Sequence, residues 1–555
     1  MSRVKQIFTN LTHYFLLMGL IVILLSSYCF NVDKAYAQSI NLNIFSNNSL
    51  ARIDALVKID SIFRIDKGIE ARLYEYKTDE SSNLPPASKL LNAGLEESTK
   101  KEFGKAIKFY TEALQFNPVF AKAYVSRAYA RSQVEDIEKA FEDYNQAIEI
   151  DPNLADAYIG RGNLYFKQNE NESALKDFNI AITVNKNYYD AYLSRGSVYL
   201  ELEKYEEAIK DFSEAISLNP QYLDAYVKRG YTKSYFRDYK GIIKDCTKAI
   251  ELDTNKQEFS AYNIRGLAFY YLGEDQKALK DLNECLKRNS NYSPVYYNRG
   301  LVLDNLGKYK EAIASYDLAI KYQPNDYGAW LNRGNILSKL GKYEEALDSY
   351  NKATKYKSNS YLAWFSRGNA LSNLEKYEEA LASYDQALKY KSASYEIWYN
   401  RGIVLSELEK YEEALTSYEQ ALLYKSDDYL IWYNKGDVLI DLGEYEEALA
   451  SYDQALKYKS DDYKIWGNRG IVLSELEKYE EALDSFEQVL HYKPNDYLAL
   501  YGKARIYGLQ GDLYFALENL KQAIKFNPNY KEEAKSDTMF DLIREAPEFK
   551  KLFSS

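Results

Sequence analysis

The chain has 555 residues, 71 Lys+Arg against 82 Asp+Glu, and a formal net charge of −11. Residues 1–37 carry Arg3, Lys5, Lys34 and Asp33, a sum of +2, so the other 518 residues stand at −13, which argues against a basic nucleic-acid-binding stripe. Tyr is abundant at 56, whereas the only histidines are His13 and His491, so Ser/His/Asp triads, His-liganded metals and His general bases have almost nothing to work with.

In chain order, Arg3 and Lys5 precede an uncharged stretch from Gln6 to Val32 whose apolar centre, Phe15 to Leu25, has the length of a signal-peptide core rather than a full membrane span. Ala35-Tyr36-Ala37 followed by Gln38 places small residues at −3 and −1, so cleavage is expected between Ala37 and Gln38. The alternative is an uncleaved anchor, a membrane tether through residues 7–32. Cys29 is preceded by Tyr28, which does not fit a lipidation site. Either way the positive N-terminus stays in the cytoplasm, and the rest is expected outside it, periplasmic, secreted or membrane-anchored.

Residues 38–86 form an N-terminal segment and linker. Ile53, Leu56, Ile59, Ile62, Phe63, Ile65 and Ile69 align along one side of a helix that Gly68 interrupts, and Thr78 to Pro86 reads as the linker. This stretch is expected to cap the first of the repeats that begin at 87 or to form a short adhesive segment.

From 87 to 530 the chain repeats itself. Trp330, Trp364, Trp398, Trp432 and Trp466 are each 34 residues apart. A small residue recurs at Gly94, Ala128, Gly162, Gly196, Gly230, Gly266, Gly300, Gly334, Gly368, Gly402, Gly436, Gly470 and Ala504, which makes thirteen units, with two extra residues around Asn255-Lys256-Gln257. Each unit reads as two helices. In 429–462, Trp432, Gly436 and Leu439 fall at helical spacing, and Leu442-Gly443 supplies a left-handed C-cap. Glu446-Glu447 then opens the second helix, on which Ala448, Tyr452 and Ala455 share a face. Neither helix buries its face alone, so units must stack.

With a large residue at position 4, Gly or Ala at 8, Ala at 20 (Ile242 is the exception), an aromatic at 24, Ala at 27 and Pro at 32 in six units, the pattern resembles the tetratricopeptide repeat. That resemblance implies an all-α, right-handed solenoid of about thirteen helix-turn-helix repeats. Where Pro is missing, Ser358, Ser392, Ser426 and Ser460 replace it. Ile242, Cys246 and the insertion predict an irregular unit at 223–258. The tail, 531–555, with Phe540, Leu542, Ile543 and Phe549, predicts a capping helix over the last repeat.

Several tempting groups have structural readings. Adjacent carboxylates such as Glu378-Glu379 and Glu446-Glu447 point about 100° apart on a helix and complement its positive end rather than chelate a metal. Cys246 and Cys285 occupy packing positions and are expected as buried free thiols, although export permits a disulfide. His491 reads as a surface or filler residue.

The resemblance also implies that first helices line a concave groove. Position 6 carries Asn298, Asn332, Ser366, Asn400, Asn434 and Asn468, similar to the asparagine ladder of the O-linked N-acetylglucosamine transferase, where amides hold a peptide backbone. Position 5 adds Tyr297, Phe365, Tyr399, Tyr433 and Tyr501. A chaperone-type carboxylate clamp is not assembled, because Asn468 stands where an Arg is wanted, and Glu407, Asp437, Asp441 and Glu475 make the groove acidic. Gly402 to Leu415 recurs at Gly470 to Leu483, and Glu378 to Ser392 at Glu446 to Ser460, so a two-repeat block is duplicated. The groove either presents the same contacts twice or records a duplication without a selected ligand.

With no nucleotide loop, metal cluster or nucleophile motif, the expectation is a non-enzymatic scaffold without cofactor. It binds neutral or basic extended segments of other proteins in its groove. Alternatives are a docking subunit of an envelope or glycan-processing enzyme complex and a self-associating surface protein.

Overall fold

A computed structural model describes residues 72, 73, 75–77 and 85–553. The export signal, its cleavage point at Ala37 and Gln38, the tether through 7–32 and the apolar face at 53–69 lie outside the described residues. The described secondary structure is helical, and thirteen antiparallel helix pairs succeed one another from Pro86–Thr99 with Phe103–Phe116 to Tyr497–Leu509 with Leu513–Phe526. The chain forms two compact units, Met1–Gln323 and Pro324–Ser555, holding the first seven and the last six pairs. Within each unit the first helices of successive repeats approach one another directly, and no two second helices approach as closely. First helices therefore occupy the inner side of each stack. No described helix is long and apolar enough to cross a membrane.

The small residue at position 8 lets the two helices of a repeat meet. A Cβ on Gly402 would lie 2.6 Å from Cε1 of Tyr418, and one on Gly368 would lie 2.5 Å from Cε1 of Tyr384. Ala448, Tyr452 and Ala455 are fully buried in the equivalent seam of the repeat of Gly436. The turn at position 15 is left-handed throughout: Gly443 has φ +78, but Glu375, Glu409 and Glu477 adopt +56 to +57 without being glycine. The Trp at position 4 closes the loop behind it. Trp364, Trp398, Trp432 and Trp466 donate from Nε1 to the carbonyls of Ser358, Ser392, Ser426 and Ser460 at 2.8–2.9 Å, as Trp330 does to Pro324. The loop is held through a backbone carbonyl, which explains why Ser replaces Pro there without consequence.

A charged staple at position 7 has no counterpart in the sequence reading. In the N-terminal unit Arg127, Arg161, Arg195, Arg229 and Arg265 grip Asp143, Asp177, Asp211, Asp245 and Asp281 of their own repeats, each by two bonds of 2.6–2.9 Å. Their remaining arm reaches a neutral group of the preceding repeat, as Arg195 does to Asn179 at 2.6 Å. In the C-terminal unit the arrangement is inverted. Arg401 and Arg469 take Ser417 and Ser485 at home (2.7 Å) and Asp385 and Asp453 in the preceding repeat (2.8 Å). Those serines also donate to Glu413 and Glu481 carbonyls, so both functions of the hydroxyl are used. Arg299, at the changeover, holds Asn283 and Ser315.

The unit around 223–258 is irregular, as expected: its first helix stops at Thr232 and a 3-10 turn spans Lys233–Phe236 before the usual left-handed residue, Arg237. The inserted loop is folded by Asp253, which accepts from the amides of Gln257 and Glu258 at 3.1 and 2.9 Å. Cys246 and Cys285 are buried free thiols, and His491 is exposed. The tail divides into Tyr530–Ser536, a 3-10 turn at Thr538–Phe540 and Pro547–Phe553 rather than one helix. Asp537 caps the middle piece through Met539, and Pro547 has no amide to continue a helix. Phe540, Ile543 and Phe549 are buried against the last repeat, while Leu542 is 72% exposed.

These contacts set two expected outcomes. Gly402→Ala overpacks its seam against Tyr418 and costs about 1–3 kcal/mol in denaturant unfolding, whereas Gly104→Ala, which meets nothing within 4 Å, does not destabilise. Asp211→Ser leaves Arg195 with neutral partners alone, the set that Arg299 keeps, and costs about 1–3 kcal/mol for the lost charged acceptor. Adding Asn179→Asp, which recreates the inverted arrangement, recovers more than half of that loss in the same measurement.

Candidate peptide-binding face

The inner side of the C-terminal unit is built from Tyr327–Lys339, Tyr361–Asn373, Tyr395–Glu407, Tyr429–Asp441, Tyr463–Glu475 and Tyr497–Leu509. Asp428, Asp462 and Asp496 cap the last three by accepting from amides of their first turns at 2.9–3.1 Å. Side chains at positions 5, 6, 9 and 13 are thereby fixed on successive rungs.

The structure separates the expected ladder into two groups. Asn298 and Tyr297 are each 1% exposed and Asn332 is 4% exposed, which corrects the expectation that all three face a ligand. Asn298 is spent inside the seam, its amide donating to Asn263 Oδ1 at 2.9 Å. Phe365 and Tyr501 are also buried, the latter donating to Asp537 of the tail. Tyr399, Asn400, Tyr433, Asn434, Asn468 and Asp437 remain half-buried and reach the surface. Among them, Asn434 donates to the Tyr399 hydroxyl at 2.9 Å, and Asn468 donates to the Tyr433 hydroxyl at 3.1 Å and to Asp437 at 2.9 Å. These amides couple each rung to the one before it, so their first role is to align the face.

Electrostatics mark the same face. Burial pushes the Asp437 carboxyl up to about 7, against hydrogen bonds from Tyr452 (2.5 Å) and Asn468. Burial, with Glu409 nearby, pushes Asp441 up to about 6. Glu407 is raised by desolvation and by Glu375. Glu407, Asp441 and Glu475 thus form a row at 34-residue spacing, flanked by the turn residues Glu375, Glu409 and Glu477. None of the row lies in an ion pair among the described residues. The paired glutamates of the second helices sit in first turns, as at Glu378-Glu379 and Glu446-Glu447, where they complement the helix dipole. Among the described residues no group of acidic, His or Cys side chains is arranged to hold a metal ion.

Stacked helix pairs whose first helices line the inner side of each unit define an α-helical repeat array of the protein-interaction class. The chain belongs to the tetratricopeptide repeat family, whose repeat patterns match residues 133–168, 162–203, 189–222, 259–292, 297–361, 365–422, 401–463 and 463–496. Such an array is typically a non-catalytic scaffold. No curated protein matches the chain. Among solved structures it is similar to YrrB, described as a TPR protein with an unusual peptide-binding site (26% identity, 34% of this chain and 97% of that one, TM-score 0.32). It is also similar to MamA from Desulfovibrio magneticus RS-1 (20% identity, 31% and 96%, TM-score 0.30). A third similarity is to the APC/C hetero-tetramer Cut9-Hcn1 (14% identity, 84% and 96%, TM-score 0.35).

Because the folded state holds the Asp437 proton to about pH 7 and an unperturbed Asp releases it near 3.8, folding binds a proton between those values. That stabilisation is complete below the lower value and is lost as pH rises through the upper. Thermal unfolding of the C-terminal unit, followed by hydrogen exchange, is therefore expected at a lower temperature at pH 8 than at pH 5. Asp437→Asn keeps an acceptor for Tyr452 and Asn468 and flattens this dependence.

Proposed function

We propose that the chain is an exported scaffold that binds extended, neutral or basic segments of other proteins along the inner face of its C-terminal unit. The observation that carries this reading is the row Glu407, Asp441 and Glu475 beside the half-buried rungs Tyr399, Tyr433, Asn434 and Asn468. Carboxylates without a basic partner, of which Glu407 and Asp441 are partly desolvated, attract a cation and repel a partner's C-terminal carboxylate. The tyrosine rings supply amphipathic contact area, and amides with spare lone pairs or hydrogens read backbone rather than side chain. Delivery outside the cytoplasm rests on Arg3, Lys5, the apolar stretch to Val32 and the Ala35-Tyr36-Ala37 step. Service as a docking arm for an envelope or glycan-processing enzyme is a special case of the same binding.

A second reading, self-association, is favoured by a different surface. Tyr356, Tyr390, Tyr424, Tyr458 and Tyr492 recur every 34 residues on the second helices and are 41–48% exposed. A ridge of rings at the repeat period is suited to a second copy in register.

A photo-crosslinking residue at the exposed position Asn373, on the first helices, tests the main reading against one at Glu446, on the second. Asn373 is expected to yield discrete adducts, diminished by Glu407→Gln/Asp441→Asn/Glu475→Gln, while Glu446 yields none. Mass spectrometry of the same sample should find the chain beginning at Gln38. Adducts of the chain with itself from Glu446 alone overturn the groove in favour of the ridge.

A further inference from the structure

The inner face of the N-terminal unit is already occupied. The short stretch Arg72, Leu73, Glu75, Tyr76 and Lys77 lies across four successive repeats, running against their order. Arg72 donates from Nε to Asp190 at 3.3 Å, and its guanidinium carbon lies 3.8 Å from the centre of the Tyr188 ring. Leu73 is 3% exposed and belongs to the same apolar cluster as Leu91, Leu95 and Tyr158. Tyr76 is buried and donates to Asp156, while Lys122 lies 4.7 Å from the centre of its ring. Lys77 reaches Glu96 at 3.0 Å.

The receiving groups are periodic. Lys122, Asp156 and Asp190 hold position 2 of three consecutive repeats, 34 residues apart. Tyr188 and Tyr222 hold position 34 and donate their hydroxyls to Asp156 and Asp190 respectively. Each aspartate therefore accepts one bond from the scaffold and one from the segment. Burial, with Asp156 nearby, pushes the Asp190 carboxyl upward, against the hydrogen bond from Tyr222 and the charge and hydrogen bond of Arg72. A guanidinium stacked on tyrosine over a desolvated carboxylate, a buried aliphatic residue and a phenol on a second carboxylate are the contacts of a recognised peptide rather than of a spacer.

We propose that the row Lys122–Asp156–Asp190 is a peptide-binding site specific for an Arg-Leu-x-x-Tyr-Lys segment, occupied in this chain by Arg72, Leu73, Tyr76 and Lys77, and that a partner enters by presenting the same chemistry and displacing them. This inference rests on the reading that first helices bind peptide segments. The occupant is joined to the first helix, which begins at Pro86, by only the residues 78–85, so its effective concentration at the site is of millimolar order. A partner at micromolar concentration competes poorly until the occupant is drawn away, and the site is regulated by its own N-terminal segment.

The test uses the full chain and a fluorescent peptide of residues 70–78 (EARLYEYKT), followed by anisotropy. Arg72→Ala/Tyr76→Ala, which weakens the occupant, is expected to bind the peptide at least tenfold more tightly than the unmodified chain. Adding Asp156→Asn/Asp190→Asn abolishes that binding, with helical circular dichroism retained in both variants. Independently, saturating peptide should accelerate hydrogen exchange of residues 72–77 in the unmodified chain and leave the repeats' exchange unchanged. Equal affinity of the unmodified and weakened chains, or undiminished binding by the chain lacking both aspartates, overturns the proposal. Unchanged exchange of 72–77 at saturation overturns it too, and makes the segment a permanent brace. Crosslinks from Asn373 report on the other unit and do not involve these substitutions, so the two readings fail separately.

Discussion

The array depends on how closely two helices of one repeat approach. At Gly368, Gly402, Gly436 and Gly470 the space a Cβ would fill is taken by an aromatic ring from the second helix. That contact sets the separation of the pair, and with it the apolar face each pair offers to the next. Because a single pair leaves this face uncovered, stability is held in nearest-neighbour seams. The tail therefore has to cover the last seam, with Phe540 and Phe549.

Around this constant apolar seam the polar fittings are exchangeable. The position-7 cation keeps one acid throughout most of the array, but the acid moves from its own repeat (Asp211 for Arg195) to the preceding one (Asp385 for Arg401). What persists physically is a pair of acceptors, one from its own repeat and one from the preceding repeat; one of the two is a carboxylate for Arg195 and Arg401, whereas Arg299 and Arg367 hold two neutral groups. The duplicated block copies the second version whole: Arg401 with Asp385 and Ser417 recurs 68 residues on as Arg469 with Asp453 and Ser485. In the first version the acid ties a repeat to itself, and in the second it ties a repeat to its neighbour.

The two units also use their inner faces differently. In the N-terminal unit Asp156 and Asp190 have been given partners from the same chain, Tyr76 and Arg72. In the C-terminal unit Glu407, Asp441 and Glu475 carry no such pairing, and Asp437 and Asp441 keep raised carboxyls as a result of burial and neighbouring acids. One scaffold thus offers a face filled in cis and a face whose charge invites a cation from elsewhere.

Helix pairs, their number and the irregular unit at 223–258 were legible in the sequence, because a 34-residue period imposes the same packing on every copy and a departure from it shows at once. Glu409 and Glu477 in left-handed turns were not, since only the neighbouring Gly443 announces that geometry. Nor was the site fully legible: position 6 is the same Asn in Asn298 and Asn434, yet one is sealed in a seam and the other reaches the surface, because exposure depends on the helices packed around it. The segment 72–77 carries no periodic signal at all, and its place over Asp156 and Asp190 arises from contacts between residues about 80 to 118 apart in the chain. Period alone determined the fold, since it reports contacts between near neighbours; which faces are open, and which segments already sit on them, is a property of distant contacts that only the folded chain brings together.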